Sequence, residues 1–216
     1  MTPPATALRM PNSAIFVCDI QEKFRNAIHE FDKVVLTSRK VLRAAAVLDI
    51  PVVVTTQNRA RLGDTVPELS SLYAVDPASS DGGDKKARLI VDTDKTRFSM
   101  WTPEVKAAFA LSLAPTVVIV GIESHICVTQ TALDLLAVGY SVYILADGVS
   151  SCNREEVPIA LARLRVAGAT VTTSESWLYE TMGDASIPAF RNIVNLVKDT
   201  SADTKVALSS LLSSKI

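Results

Sequence analysis

The sequence predicts an α/β fold, a three-layer Rossmann-like sandwich around a mainly parallel six-stranded sheet. Three observations lead there. Short runs rich in Val, Ile and Thr recur as continuous apolar stretches, the mark of strands covered on both faces. Longer segments with apolar residues at helical spacing separate them, and that alternation of strand and helix means a parallel sheet. Helix punctuation stands where it should: Pro103 follows Thr102 at a helix start, and Gly139 and Gly168 fall where helices end.

Taken in order, strands are expected at 14–20, 51–56, 89–91, 116–120, 142–146 and 170–173. Helices are expected at 34–48, 103–113, 124–138, 155–167 and 187–198. The interval 57–86, rich in Gly, Pro, Ser and Asp, is too long for an ordinary connection and reads as a functional loop or an oligomer contact. The tail at 199–216 is Ser-rich with a short apolar set, Val206, Leu208, Leu211 and Leu212, which fits either a docking helix or a disordered end. A single domain over 1–216 is expected, with its core at about 12–198.

The 216 residues carry 22 Lys plus Arg against 23 Asp plus Glu, so no overall field draws the chain to nucleic acid or to acidic membranes. A small-molecule substrate is the expected partner. Three cysteines, Cys18, Cys127 and Cys152, are an odd number without metal-like spacing, which fits a reducing compartment such as the cytoplasm. Residues 1–11 show no secretory h-region and no run approaches a membrane span. The closing Ser214-Lys215-Ile216 differs by one residue from the S-K-L peroxisomal address; its bland reading is a frayed polar end.

Chemistry should gather at the carboxyl ends of the strands, where open parallel sheets bind ligands. Cys127 follows the run at 116–120 and the break at Gly121, and the helix beginning there favours the anionic thiolate. A lone cysteine after a buried strand is more often inert packing. Asp19 ends the first strand, a position that suits a general base and equally a turn cap. Lys95, in Asp92-Thr-Asp-Lys-Thr-Arg-Phe-Ser-Met-Trp101, would on its own be a solvated surface residue. Together the three meet the needs of thiol catalysis: a nucleophile, a base for its proton and a cation beside the charged partner.

These segments resemble the isochorismatase-like cysteine hydrolase superfamily, which includes nicotinamidases and N-carbamoyl amino acid amidohydrolases. Cys18-Asp-Ile-Gln-Glu-Lys-Phe24 is similar to its strand-end D-x-Q-x-x-F, Asp94-Lys-Thr-Arg-Phe-Ser-Met100 to its lysine segment, and Gly121-Ile-Glu-Ser-His-Ile-Cys127 to its nucleophile turn. The resemblance implies an Asp19, Lys95 and Cys127 triad. It also implies a cis peptide between Ile122 and Glu123, turning the N–H groups of Glu123 and Cys127 toward one point as an oxyanion hole. A homo-oligomer, dimer or larger, is implied as well.

Departures within the superfamily narrow the expectation. Nicotinamidases have Asp and His metal ligands after the second strand, whereas this chain reads Thr55-Thr-Gln-Asn-Arg59, so no catalytic metal and no cofactor are expected. The thiol favours acyl chemistry over cleavage of a vinyl ether. Gln57, Arg59 and Gly63-Asp-Thr-Val-Pro67 look closest to the isochorismatase domain-containing branch. Candidate substrate contacts are Phe24, Gln57, Trp101, Ser124 and His125. His29 is expected on the surface, Cys18 on the strand face opposite Asp19, and Cys152 as an exposed thiol.

The leading expectation is therefore a metal-independent hydrolase of a small amide, carbamoyl compound or similar acyl substrate. A binding or scaffold protein with a vestigial triad is the alternative from another class. Ribonuclease is a third reading, and the balanced charge and absence of a paired-histidine acid and base weigh against it.

Overall fold

The computed structural model describes residues 7–10, 12–77, 85–109 and 114–212. Seven strands form one sheet: β1 (Ser13–Cys18), β2 (Val52–Gln57), β3 (Tyr73–Ala74), β4 (Ala87–Lys95), β5 (Thr116–Ile122), β6 (Ser141–Ser150) and β7 (Thr170–Thr172). Their spatial order is β3-β4-β2-β1-β5-β6-β7, and every adjacent pair is parallel. The chain thus builds outward from β1 in one direction, then returns to add β5 on its other side. The carboxyl ends of β1 and β5 flank that switch point, the place where open parallel sheets bind ligands.

Alternation along the strands divides the core into two layers. Ile15, Val17, Val52, Val54, Val118 and Val120 pack on one face, under α1 (Phe31–Leu48), α7 (Ser174–Met182) and α8 (Phe190–Asp199). Ala14, Phe16, Cys18, Val117 and Ile119 pack on the other, under α4 (Pro103–Phe109), α5 (Thr129–Ala137) and α6 (Glu156–Val166). Phe16 meets Phe109 edge-on at 5.4 Å, and Trp101 meets Phe109 and Tyr140 edge-on at 5.9 and 5.3 Å. Such pairs contribute about 0.5–1.5 kcal/mol each beyond the area they bury.

Several boundaries differ from the sequence expectation. The sheet has seven strands rather than six because the two-residue β3 extends it within 57–86, which also holds the short helices α2 (Arg59–Leu62) and α3 (Pro67–Ser70). The strand expected at 89–91 runs on through Asp92, Thr93 and Asp94 to Lys95. Helix α7 was not foreseen; Thr173 caps it by accepting from the Ser176 N–H at 3.3 Å. The expected cap at Thr102 accepts from the Val105 N–H, also at 3.3 Å, while positions 110–113 of the expected helix lie outside the described residues.

The tail forms α9 (Ser201–Leu211), held to α1 by the buried Lys40, whose ammonium donates to Thr204 Oγ1 at 2.9 Å. Ser214-Lys215-Ile216 lies outside the described residues. Among the described residues no helix is long and apolar enough to cross a membrane.

Candidate active site

Four adjacent strands deliver their ends to one place. β1 ends at Cys18, and the next residue, Asp19, turns with φ +53°. β2 ends at Gln57, whose partner across the ladder is Lys95, the last residue of β4. β5 ends at Ile122, followed by a cis Ile122–Glu123 peptide and one π-helical turn, Ser124–Val128, that carries Cys127. Such turns are rare and concentrate at functional sites.

Gly121 makes this approach possible. Its φ is +131°, and a Cβ there would lie 2.1 Å from the Cys18 carbonyl oxygen. Only glycine lets β5 come this close to β1 just where both strands end. The β5–β6 register also shifts between Ile119 and Gly121, re-aiming the chain beyond it.

Lys95 is the centre of the cluster. Its side chain is 1% exposed, and Asp19's is 2%. The ammonium donates to Asp19 Oδ2 at 2.6 Å, Gln57 Oε1 at 2.8 Å, and the carbonyls of Arg97 and Phe98 at 3.1 Å each, and it lies 4.0 Å from Cys127 Sγ. Burial works against this charge, but the adjacent Asp19 carboxylate and the hydrogen bond to it outweigh burial, so Lys95 is held above the ordinary lysine range. The second oxygen of Asp19 accepts from Thr55 Oγ1 at 2.8 Å.

The surrounding hydrogen bonds lock the parts together. Gln21, fully buried, donates through Nε2 to the carbonyls of Gln57 and Gly63 at 3.2 and 2.7 Å and accepts the Gln57 N–H at 2.7 Å. Thr131 Oγ1 donates to the Cys127 carbonyl at 2.6 Å and accepts from the Met100 N–H at 2.9 Å, tying the thiol turn to the lysine segment. Sequence reasoning quoted Gln21 within its motif without giving it a task, and missed Thr131; an amide following a strand-end carboxylate was the available signal.

Cys18 corrects an expectation. Its side chain lies not on the face away from Asp19 but 3.7 Å from Asp19 Oδ2, in the same buried layer as Cys127. Strand alternation would separate the two side chains, and the left-handed turn at Asp19 cancels it. Burial, the neighbouring Cys127 and the Asp19 charge push the Cys18 thiol well up, so it stays protonated. His29 is half-buried rather than fully on the surface, with its Nε2 out of contact with solvent and without a hydrogen-bond partner.

The remaining candidates are dispersed. Gln57 is spent on Lys95 and on the Thr96 carbonyl at 3.0 Å. Trp101 is buried in its aromatic cluster, and Phe24 packs against the α1 side of the core. Ser124 is buried beside Cys127 with an unpartnered hydroxyl. His125 Nδ1 is 3.0 Å from Ser151 Oγ. Beyond β2, Thr56 Oγ1 donates to Asp94 Oδ1 at 3.1 Å, and Arg59 pairs with Asp92 and bonds Thr56. The carboxylates there are engaged by Thr56 and the Arg59 guanidinium, with no histidine or thiol beside them in these contacts, which does not favour a zinc-type ion.

Comparison with known proteins agrees with this fold. The Isochorismatase domain family model matches residues 13–176. The chain is 39% identical over 190 residues to the secreted isochorismatase effector Isc1 of Phytophthora sojae, covering 87% of this chain and 85% of that protein. It is 38% identical to isochorismatase domain-containing protein 2 of Xenopus laevis, covering 89% and 87%. Among solved structures, one described as MAR1 ribonuclease from Caenorhabditis elegans superposes with a TM-score of 0.78 at 36% identity, covering 89% of this chain and 93% of that one. With the matched segment running from β1 into α7, the chain belongs to the isochorismatase-like hydrolase family.

Proposed function

We propose that the protein is a metal-independent cysteine hydrolase of small amides, carbamoyl compounds or similar acyl substrates. The observation that carries this is the buried Lys95 ammonium, 2.6 Å from Asp19 Oδ2 and 4.0 Å from Cys127 Sγ at the switch point of the sheet. Asp19 takes the thiol proton, the Cys127 thiolate attacks the carbonyl carbon, and the leaving amine recovers the proton from Asp19. Water, activated by the same carboxylate, then releases the acyl group from sulfur and regenerates the thiol. Lys95 holds the charges throughout. The N–H groups of Glu123 and Cys127 serve as oxyanion donors, each worth about 10²- to 10³-fold in rate by analogy with other acyl-transfer enzymes. Ser124, with its unpartnered buried hydroxyl, is available to a substrate polar group.

Two measurements test the proposal. Alkylation followed by mass spectrometry is expected to label Cys127 at neutral pH faster than the exposed Cys152; the reverse order removes the activated nucleophile. A screen over amides, ureides and carbamates is expected to find turnover by the wild type that Cys127→Ala lacks. A ribonuclease reading rests on the names of similar solved structures, the MAR1 ribonuclease of C. elegans and two Leishmania proteins that share the MAR1 ribonuclease name. RNA degradation that persists in Cys127→Ala would separate that activity from this site.

A further inference from the structure

A second group of reactive side chains stands beside the thiol turn, and nothing in the proposed reaction uses it. Glu123 and His125 precede Cys127 on the turn, while Cys152 lies just beyond the end of β6. One ligand atom from each of Glu123, His125 and Cys152 can be chosen so that all three lie within 4.8 Å of one another. Glu123 Oε2 is 3.6 Å from His125 Nδ1 and accepts the Cys152 N–H at 2.8 Å. Ser151 Oγ, buried, is 3.0 Å from His125 Nδ1 and fixes the ring. Glu123 and His125 side chains are 14% and 24% exposed, and Cys152 is open to solvent, so the cluster is both preformed and reachable.

Thiolate, imidazole and carboxylate together are the ligand chemistry of zinc rather than of magnesium or calcium, which take oxygen donors. Bond lengths of about 2.0–2.3 Å put two ligands of a tetrahedral zinc roughly 3.4–3.7 Å apart. The Glu123–His125 separation of 3.6 Å already meets that edge. Cys152 Sγ needs a shift of about 1 Å at most, which rotation of an exposed side chain supplies. The backbone N–H on the carboxylate is the kind of outer contact that orients a metal ligand, while the Ser151 hydroxyl now on Nδ1 gives way to the cation.

We propose that Glu123, His125 and Cys152 form a zinc-class divalent cation site on the rim of the Cys127 turn, separate from the Asp19, Lys95 and Cys127 cluster. On binding, the Cys152 S–H loses its proton to solvent, bonds form from Sγ, an imidazole nitrogen and a carboxylate oxygen, and water fills the fourth position. Because the Glu123 carbonyl accepts the N–H groups of Ile126 and Val128 at 3.1 Å each, a cation there braces the segment that carries Cys127.

The test uses cobalt(II) as an absorbing stand-in for zinc, added to the metal-free full chain, with zinc affinity from calorimetric competition. The wild type is expected to bind one equivalent with a thiolate-to-cobalt absorption band. Cys127→Ser is expected to keep that band and Cys152→Ser to lose it, with His125→Ala weakening zinc by more than the ~10- to 100-fold credited to outer contacts of metal ligands. Circular dichroism checks that each variant is folded. In the wild type itself, zinc is expected to protect Cys152 from iodoacetamide while leaving its peptide otherwise unmodified. Retention of the band in Cys152→Ser, its loss in Cys127→Ser, or no protection of Cys152 overturns the proposal.

Discussion

Replacing Asp19 by Asn keeps the shape of the site and removes one charge of a pair that is almost wholly out of water. The side chains of Lys95 and Asp19 are 1% and 2% exposed, and their 2.6 Å contact has no solvent to replace it. Breaking a buried pair from one side costs about 3–5 kcal/mol, because the surviving charge stays buried. Here the ammonium keeps Gln57 Oε1 at 2.8 Å and two carbonyls at 3.1 Å, and Asn retains an acceptor for Thr55, so the lower end, about 3 kcal/mol, is the expectation. For a chain of this size each kcal/mol moves the melting temperature by roughly 2–4 °C, giving a fall of about 6–12 °C. The assay is urea denaturation with calorimetry, run alongside Lys95→Met and the Asp19→Asn/Lys95→Met double variant. The double variant is expected to recover most of the stability that Asp19→Asn loses and none of the reactivity of Cys127. An Asp19→Asn variant within about 1 kcal/mol of wild type would refute the reasoning, since that is the range of solvent-exposed ion pairs.

The same geometry makes further expectations. Gln57→Leu removes one oxygen from Lys95 without touching the thiol, so hydrolysis is expected to lose kcat with little change in KM, read by steady-state kinetics once a substrate is in hand. Gly121→Ala puts a Cβ 2.1 Å from the Cys18 carbonyl oxygen, and no soluble folded protein, or a loss above about 4 kcal/mol in denaturation, is expected. Lys95 is held above its unfolded value, so the stability it lends is complete below the ordinary lysine pKa and is lost only as pH rises through the folded value; melting curves from about pH 7 to 10 should show no loss from this pair. Lys40 has the opposite sign: burial, stronger than the pull of Asp147 and Glu175, holds it below the lysine range. Lys40→Met is therefore expected to be at least as stable as wild type at neutral pH, with an advantage that shrinks as denaturation curves are taken toward about pH 10.

What the sequence disclosed tracks how directly burial writes itself into residue type. The central strands β1, β2 and β5 are covered on both faces, so each is a continuous apolar run. β3 has two residues and no pattern to display. The end of β4 was invisible for another reason: Asp92, Asp94 and Lys95 emerge from the sheet at the site, so polarity there reflects chemistry rather than loop. Cys18 was misplaced because the rule of alternation holds only while the backbone stays extended, and Asp19 leaves it at φ +53°. No residue type forces that turn. Gln21 and Thr131 were passed over because their work is to join segments far apart in the chain, a relation that spacing along one sequence does not encode.

The site's charge arithmetic explains why a lysine, rather than a second neutral donor, belongs at its centre. On this mechanism the buried cluster starts as an Asp19 carboxylate paired with the Lys95 ammonium and a Cys127 thiol, with no net charge. Moving the thiol proton to Asp19 leaves a thiolate, an ammonium and a neutral acid, which again sum to zero. On this mechanism the negative charge moves from one neighbour of Nζ to another, from an oxygen 2.6 Å away to a sulfur 4.0 Å away, and never meets the desolvation cost of an unpaired ion. A neutral donor in the same place would leave a lone buried anion both before and after the transfer. The many oxygens around Nζ fit this role, since Gln57, Arg97 and Phe98 hold the ammonium while its anionic partner changes. Cys18 takes no part in the exchange although it touches Asp19, because burial, with the negative charge beside it, keeps its proton in place. Lys95 thus selects between two buried thiols: the one that lies 4.0 Å from its ammonium becomes the nucleophile on this mechanism, and the one against the carboxylate stays a thiol.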